Sequence, residues 1–222
     1  MKNLIQKFAL AFACVALAYA PAFAQQAERP DWKVGDEWVY KVTEVNDGNK
    51  VSEYQHEIEK IDDGKIMIRR SEKNAEGVMV SGSLNTYNAD MNYVTVEGKG
   101  VTSTPSSQSL QWPLQPGKKY PVEFSYVNTE NSRKGSTDMK SEVSELQDIT
   151  VPAGTFKAYK ISSQGFWTRR DSEYSGSGKE AQTIWYAPEV KRWVKWETQN
   201  RRSSGDLFTN RVVELVKFTP GK

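Results

Sequence analysis

The strongest constraint on the fold is a two-residue alternation of apolar and polar side chains that recurs along the chain. Tyr54, His56 and Ile58 alternate with Glu53, Gln55, Glu57 and Glu59. Because successive side chains of a strand point to opposite faces, this pattern predicts a half-buried antiparallel strand. The same alternation places Trp38, Tyr40 and Val42 on one face of an earlier strand. It recurs at Ile66 and Ile68, after the turn at Asp62–Gly64.

Further strands are expected at spacings of about 8–12 residues, each bounded by turn residues. We predict them near Gly77–Tyr87, Met91–Glu97, Tyr120–Asn128, Thr137–Glu145, Phe156–Thr168, Lys179–Tyr186, Lys191–Gln199 and Leu207–Phe218. No segment after residue 24 has a sustained helical periodicity. The pattern therefore predicts an all-β fold, a single antiparallel meander that forms an open or closed barrel or a sandwich.

The connections are predicted from their turn residues. Ile184–Glu197 is predicted to be a hairpin, with Ala187-Pro188-Glu189 as its turn. Thr102–Ser109 is predicted to be a polar loop, and Tyr174–Lys179 the most flexible loop. The proline-rich segment Trp112–Gly117 fits an edge or a strap across the barrel mouth.

The first 24 residues have the pattern of a cleaved signal-peptide helix. Lys2 and Lys7 precede the apolar run Phe8–Tyr19, which is too short to span a bilayer, and Ala22-Phe23-Ala24 is a small-residue cleavage site. We therefore expect a signal peptide over residues 1–24, a single barrel-like domain over residues 25–222, and a periplasmic or secreted protein. No transmembrane segment is expected after cleavage. An N-terminal membrane anchor is the alternative.

Cys14 is the only cysteine and lies within the expected signal peptide. A lipidated cysteine is an alternative, although Ala11-Phe12-Ala13 lacks the leucine usual in a lipobox. Without Cys14, the domain has neither a disulfide nor a thiolate nucleophile or metal ligand.

The charges are distributed unevenly along the chain. Lys2 and Lys7 are the only charges before Gln25, so of the 30 basic residues 28 remain against 28 acidic ones. Residues 25–150 have a net charge of −6 and residues 151–222 one of +6. This asymmetry indicates either a surface that faces a partner or two halves that pair with each other.

The sequence lacks the residues that most catalytic mechanisms require. His56 is the only histidine, and no Gly-x-Ser-x-Gly elbow accompanies it, so we expect a hydrogen-bonded core histidine and not a general base. One histidine without cysteine excludes an ordinary zinc or copper site. No glycine-rich phosphate loop is present, and no cofactor is expected. A hydrolase that uses two carboxylates is still an alternative, because sequence alone cannot exclude it.

Aromatic and basic residues are interleaved in the second half of the chain. Seven of them are candidate binding residues: Trp167, Arg169, Arg170, Arg192, Trp193, Trp196 and Arg201. In a regular strand, Trp193 shares a face with Lys195, and Trp196 lies on the face of Arg192 and Val194. Anionic lipid headgroups or cell-wall polymers are the expected targets, and nucleic acid is not expected. The alternative is aromatic residues in the barrel core with cations on its rim.

Three motifs occur in one chain: W-x-x-G-D-x-W at Trp32–Trp38, V-P-A-G-T-F at Val151–Phe156 and W-Y-A-P at Trp185–Pro188. Together they resemble a family of exported bacterial β-rich proteins of unknown function. The resemblance implies an antiparallel barrel-like domain, similar to the open barrels of periplasmic lipoprotein carriers. It implies no catalytic residues.

Two functions from different classes follow, and neither is enzymatic. The first is a carrier or binding module of the cell envelope, with a lipid or another hydrophobic or anionic envelope compound as its ligand. The second is a structural or protein-interaction module with a filled core. An interior cavity of about 300 Å³ or more lined by aromatic residues distinguishes the first from the second.

Overall fold

A computed structural model describes residues 26–97 and 100–222, so the expected signal peptide lies outside the described residues. Twelve strands follow one another in these ranges: β1 (Glu37–Glu44), β2 (Lys50–Asp62), β3 (Lys65–Lys73), β4 (Met79–Asn88), β5 (Tyr93–Glu97), β6 (Val101–Thr104), β7 (Lys119–Asn128), β8 (Arg133–Val151), β9 (Gly154–Arg170), β10 (Ser175–Ala187), β11 (Arg192–Arg202) and β12 (Leu207–Thr219). The only helical element among the described residues is a 3₁₀ turn at Pro188–Val190.

The strands form a closed antiparallel barrel in which each pairs with its neighbours in sequence and β1 also pairs with β12. Tyr40 of β1 illustrates the closure, because it is opposite Tyr54 of β2 on one side and Leu215 of β12 on the other. All three side chains are buried. The all-β prediction and the single antiparallel meander are thus confirmed, with the barrel closed.

The apolar face of each strand points into the barrel, as the alternation predicts. Trp38, Ile58, Ile68 and Ile161 are completely or almost completely buried. A barrel of about eight strands is just narrow enough for its side chains to fill the interior, whereas wider barrels leave space. A barrel of twelve strands is therefore expected to contain a cavity even though its interior carries many aromatic rings.

One end of the barrel is closed. Residues 105–118, which connect β6 to β7 and are called the strap below, cross this end from β5 to β10. Asn92 hydrogen-bonds both backbone groups of Leu110, and the rings of Trp112 and Tyr186 pack edge to face at 5.0 Å. Leu114 pairs with Ala27 and is fully buried. The predicted strap is therefore present, and it covers the end of the barrel at which β1 begins.

Two predicted loops differ from the structure. Val101–Thr104 is strand β6, so the polar loop begins only at Pro105. The segment predicted to be the most flexible loop, Tyr174–Lys179, is largely the start of β10. Its glycines are needed for close approach: a Cβ at Gly176 would overlap the Tyr174 ring, and one at Gly178 would overlap the Arg201 carbonyl.

The W-x-x-G-D-x-W motif stabilises the closed end. The carboxylate of Asp36 is completely buried and accepts hydrogen bonds from Lys191 Nζ at 2.8 and 3.0 Å and from the Gly221 amide at 2.9 Å. The Trp38 indole donates to the Val190 carbonyl at 2.8 Å. The motif therefore fastens β1 to the β10–β11 turn and to the C-terminal residues.

Candidate functional site

A cavity of about 680 Å³ occupies the barrel interior. Toward the closed end its lining includes Tyr87, Met91 and Leu110, and we call this part the floor. Toward the end at which β1 finishes, exposed residues such as Lys73 and Arg211 belong to the lining, so the cavity opens to solvent there. We call this open end the mouth.

Arg192 lies at the floor end and is completely buried. Its guanidinium carbon is 4.0 Å from the ring centre of Trp193 and 4.9 Å from that of Trp38, and Tyr87 and Tyr40 lie within 6 Å. These rings form an aromatic box around the cation. None of the three guanidinium nitrogens has a hydrogen-bond partner in the described part of the chain.

His56 lines the cavity and is also buried. Its ring packs against Tyr54 at 4.7 Å and Tyr40 at 6.3 Å, and neither imidazole nitrogen has a hydrogen-bond partner in the described ranges. Burial, together with the nearby positive charges of Arg192 and Arg70, lowers the pKa of His56 well below its ordinary value. The inward orientation is confirmed, but the expected hydrogen-bonded core histidine is wrong, because its neighbours on β1 and β2 are aromatic.

Other side chains of the cavity wall also carry unpaired polar atoms. Three of them are buried donors without a partner among the residues described: Trp193 Nε1, Trp196 Nε1 and the Tyr93 hydroxyl. Buried polar groups in native proteins nearly always have partners, which include water and ligands. The interior therefore offers several hydrogen-bond donors to whatever fills it.

The charged residues of the cavity lining form three ion pairs at the mouth. The pairs are Glu44 with Arg211, Glu53 with Lys73, and Glu72 with Arg70. Arg70 also lies over the Tyr54 ring, at 3.9 Å from its centre. Because each of these carboxylates has its own cation, none of them neutralises Arg192.

Glu180 is a buried carboxyl group in the cavity wall. Burial raises the pKa of Glu180, and its hydrogen bonds from Gln182 and Thr137 oppose this rise. The Gln182 side-chain amide donates to it at 2.6 Å. Glu180 is therefore a satisfied acceptor, unlike the donors at the floor.

The structure separates the sequence-predicted residues into two groups. Trp193 and Trp196 line the cavity, and Arg192 lies buried behind the floor, against Tyr87 and Trp193. The other four lie near the mouth. The Trp167 ring is buried, donates to the Arg201 carbonyl and stacks on Phe208 at 5.3 Å. Arg169 forms an ion pair with Asp171 at 2.9 Å, and Arg170 is exposed.

The predicted facing of β11 is wrong. A register shift opposite Trp185 and Tyr186 places Trp193 opposite Tyr186 and Trp196 opposite Ile184. Trp193 and Trp196 consequently both line the cavity, and Lys195 points outward beside Trp185. Sequence alternation cannot locate such a bulge, because one extra residue inverts the facing of all residues that follow.

His56 and the tyrosines of the floor, Tyr87 and Tyr93, were not among the sequence-predicted binding residues. A lone histidine between two apolar residues of a strand has the same pattern as core packing. His56 stands opposite Trp38 of β1 and Arg70 of β3, and neither nitrogen of its ring has a hydrogen-bond partner among the described residues. This distinction can be seen only once the strand pairing is known.

The geometry defines a class of protein, an all-β closed barrel with an interior cavity. Its sequence matches no family model and no curated protein. Among solved structures, it is similar to a protein of Bacteroides fragilis assigned as exported, with a YmcC-like fold (14% identity, TM-score 0.54), and to a protein of Parabacteroides distasonis assigned as a lipoprotein (13% identity, TM-score 0.52). Each match covers 87% of this chain and 99% of the other. At this identity the likeness shows the fold.

Within the described residues, no helix is long and apolar enough to cross a membrane. The same residues contain no group of three or more histidine, cysteine or acidic side chains that could hold a metal ion.

Proposed function

We propose that this protein is a non-enzymatic binding module of the cell envelope that holds one small amphipathic molecule inside its barrel. The observation that carries the proposal is the cavity of about 680 Å³, whose wall combines aromatic rings with unpaired donors. Ligand cavities of about 300–1,000 Å³ with mostly apolar walls and a few polar groups are typical of small-molecule sites. A structural module with a filled core would have no such cavity.

Export of the protein is part of the proposal. The N-terminal pattern of Lys2, Lys7 and Ala22-Phe23-Ala24 supports it. The two structural neighbours, assigned as an exported protein and a lipoprotein, are consistent with it. The intact mass after expression in a bacterium tests it: a chain that begins at Gln25 is expected, and a diacylated Cys14 terminus contradicts it.

A carboxylate-dependent hydrolase is the second candidate, because Glu180 has the raised pKa that suits a general acid. The other cavity carboxylates that would serve as a partner, Glu44, Glu53 and Glu72, are each held in ion pairs. Binding requires no such partner and uses the unpaired donors directly. We therefore favour a binding module.

Blocking the cavity tests the proposed function. Thr198 lines the cavity on β11, whereas its neighbour Gln199 does not. We expect Thr198→Trp to weaken uptake of the neutral fluorescent probe N-phenyl-1-naphthylamine, because the indole occupies part of the interior. Gln199→Trp is the matched control and should bind the probe like the unaltered protein. Equal binding by both variants, or no binding by the unaltered protein, would contradict a ligand inside the barrel.

A further inference from the structure

We infer that the floor of the cavity is an anion site, in which Arg192 and His56 receive the carboxylate or phosphate group of a single-chain amphiphile whose apolar part lies in the barrel. This inference rests on the proposed function and specifies its ligand. It assigns an orientation: the acidic head lies at the closed end, and the apolar part points toward the mouth.

The first argument is the unmet charge of Arg192. A completely buried cation without an anionic partner is costly, and a native protein normally pairs it. The aromatic box compensates part of this cost, since ring faces attract cations. The rings at 4.0 and 4.9 Å interact with the guanidinium as a whole, whereas its five N–H donors lie in its own plane and still require acceptors.

The second argument is that no group in the described part of the chain supplies such an acceptor. The Tyr40 hydroxyl, which lies in the box, donates to the Trp193 carbonyl at 3.0 Å. The buried carboxylate of Asp36, which precedes β1, is bonded to Lys191. Within the described ranges, Arg192 therefore has donors to spare and no carboxylate.

The third argument is the shared wall between the aromatic box and the cavity. Tyr87 and Trp193 belong to both the box around Arg192 and the cavity lining. His56, with two unpaired nitrogens, lies in the same wall. Because its pKa is low, His56 is neutral at neutral pH and can donate one hydrogen bond to an anion without adding a second positive charge.

The fourth argument concerns the rest of the ligand. Above the floor the lining includes Val42, Ile184 and Val213, which suit an alkyl chain or a ring. The charged side chains of the cavity lining at the mouth are already paired with one another. The unpaired positive charge of the cavity region is thus at its floor, and this asymmetry sets the orientation of the ligand.

Calorimetric titration of the purified protein with decanoate, decyl phosphate and decanol tests the inference. We expect the two anions to bind more tightly than the neutral alcohol. Arg192→Met should weaken the binding of both anions by about 10- to 100-fold, as expected for the loss of hydrogen bonds to a charged group, and leave decanol unchanged. The ratio of the two anion affinities distinguishes a carboxylate from a phosphate head.

The matched control is Lys217→Met, which removes one positive charge from an exposed position of β12. It should bind all three compounds like the unaltered protein. Arg192→Lys keeps the charge with a different donor geometry, and we expect an intermediate affinity for the anions. If Arg192→Met binds decanoate and decanol as the unaltered protein does, the anion site is wrong and the binding module stands. If the unaltered protein binds none of the three, the proposed function fails.

A measurement on the unaltered protein keeps the inference testable should Arg192→Met not fold. His56 is the only histidine in the chain, so its imidazole resonances are assigned without ambiguity. Decanoate should shift these resonances and raise the pKa of His56, because an anion favours the charged imidazole. Decanol should leave the pKa unchanged. Equal responses to both compounds would overturn the anion site.

Discussion

At the scale of single residues, His56 contributes two unpaired ring nitrogens to the cavity wall. It is 4% exposed and enclosed by aromatic rings. Its pKa is lowered in the folded protein, whereas in the unfolded chain it is ordinary, near 6.5. Below pH 6.5 the unfolded chain therefore binds a proton that the folded protein does not. The sign of this difference makes the folded state less stable as the pH falls.

We predict that this loss is absent in His56→Leu. Between pH 7.5 and pH 5.5, the free energy of unfolding of the unaltered protein should decrease by about 1 kcal/mol more than that of the variant. Denaturant titrations at the two pH values measure it. Parallel behaviour of the two proteins would show that His56 takes up its proton as readily in the folded state as in the unfolded chain.

Asp36 is the second residue with a decisive role, because it joins β1, Lys191 and the C-terminal residues. We predict that Asp36→Asn lowers the free energy of unfolding by about 3 kcal/mol, since breaking a buried pair leaves Lys191 without its counter-ion. Glu142→Gln removes an exposed carboxylate paired with Lys119 and should have almost no effect. A similarly small effect of Asp36→Asn would contradict the account of the closed end.

Sequence reasoning succeeds for residues whose position in a strand decides their environment. The turns beside them and the alternation of their strands predict that Trp38, Trp185 and Phe156 belong to the buried core, and Trp38 is completely buried. Trp185 is also buried as predicted, but it lies beside Lys160 and Lys195 and outside the cavity lining. Phe156, predicted to belong to the core, is only partly buried. The differences arise where a bulge or a long hairpin changes the local environment, and alternation does not record either.

At the scale of elements, the hairpins follow from the sequence because turn residues and alternation agree. The strap was predicted from its prolines, which cannot pair within a central strand. The start of β10 was not predicted, because glycine is typical of loops and Gly176 and Gly178 are present for close approach. Composition alone does not distinguish these two roles of glycine.

The strap is predicted to be a stabilising element and not a passive connection. Leu114 is fully buried, so Leu114→Ala should lower the free energy of unfolding by about 2–5 kcal/mol through lost burial and the space left behind. Leu207→Ala is the control, because Leu207 is 36% exposed at the mouth. Equal, small effects of the two substitutions in denaturant titrations would show that the strap does not close the barrel.

At the scale of the whole molecule, closure of the barrel brings some of the opposite charges of the two halves together in ion pairs. Pairs such as Arg211 with Glu44 and Lys191 with Asp36 join a basic residue of the second half to an acidic residue of the first. If the cations of the second half formed a working surface, Arg169, Arg170, Lys191, Arg192, Arg201 and Arg202 would cluster, and they do not. Lys191 and Arg192 begin β11 at the closed end, whereas Arg201 and Arg202 finish it at the mouth.

The barrel itself could be predicted from the sequence, but the site could not. Alternation and turns define the strands, and the number of strands implies a wide interior. The site depends on which side chains meet across non-adjacent strands, such as Trp38 of β1 beside Arg192 of β11. These contacts arise from closure and from the bulge in β11, so only the folded barrel shows them.

The central claim is that the barrel holds one small molecule, and native mass spectrometry of the protein isolated from a bacterial envelope tests it most directly. We predict a single adduct per chain, with a mass suited to a cavity of about 680 Å³, and a lower occupancy of this adduct in Thr198→Trp purified in the same way. Gln199→Trp should retain the adduct. Bare protein in all three preparations, with no uptake after incubation with decanoate, would contradict the claim.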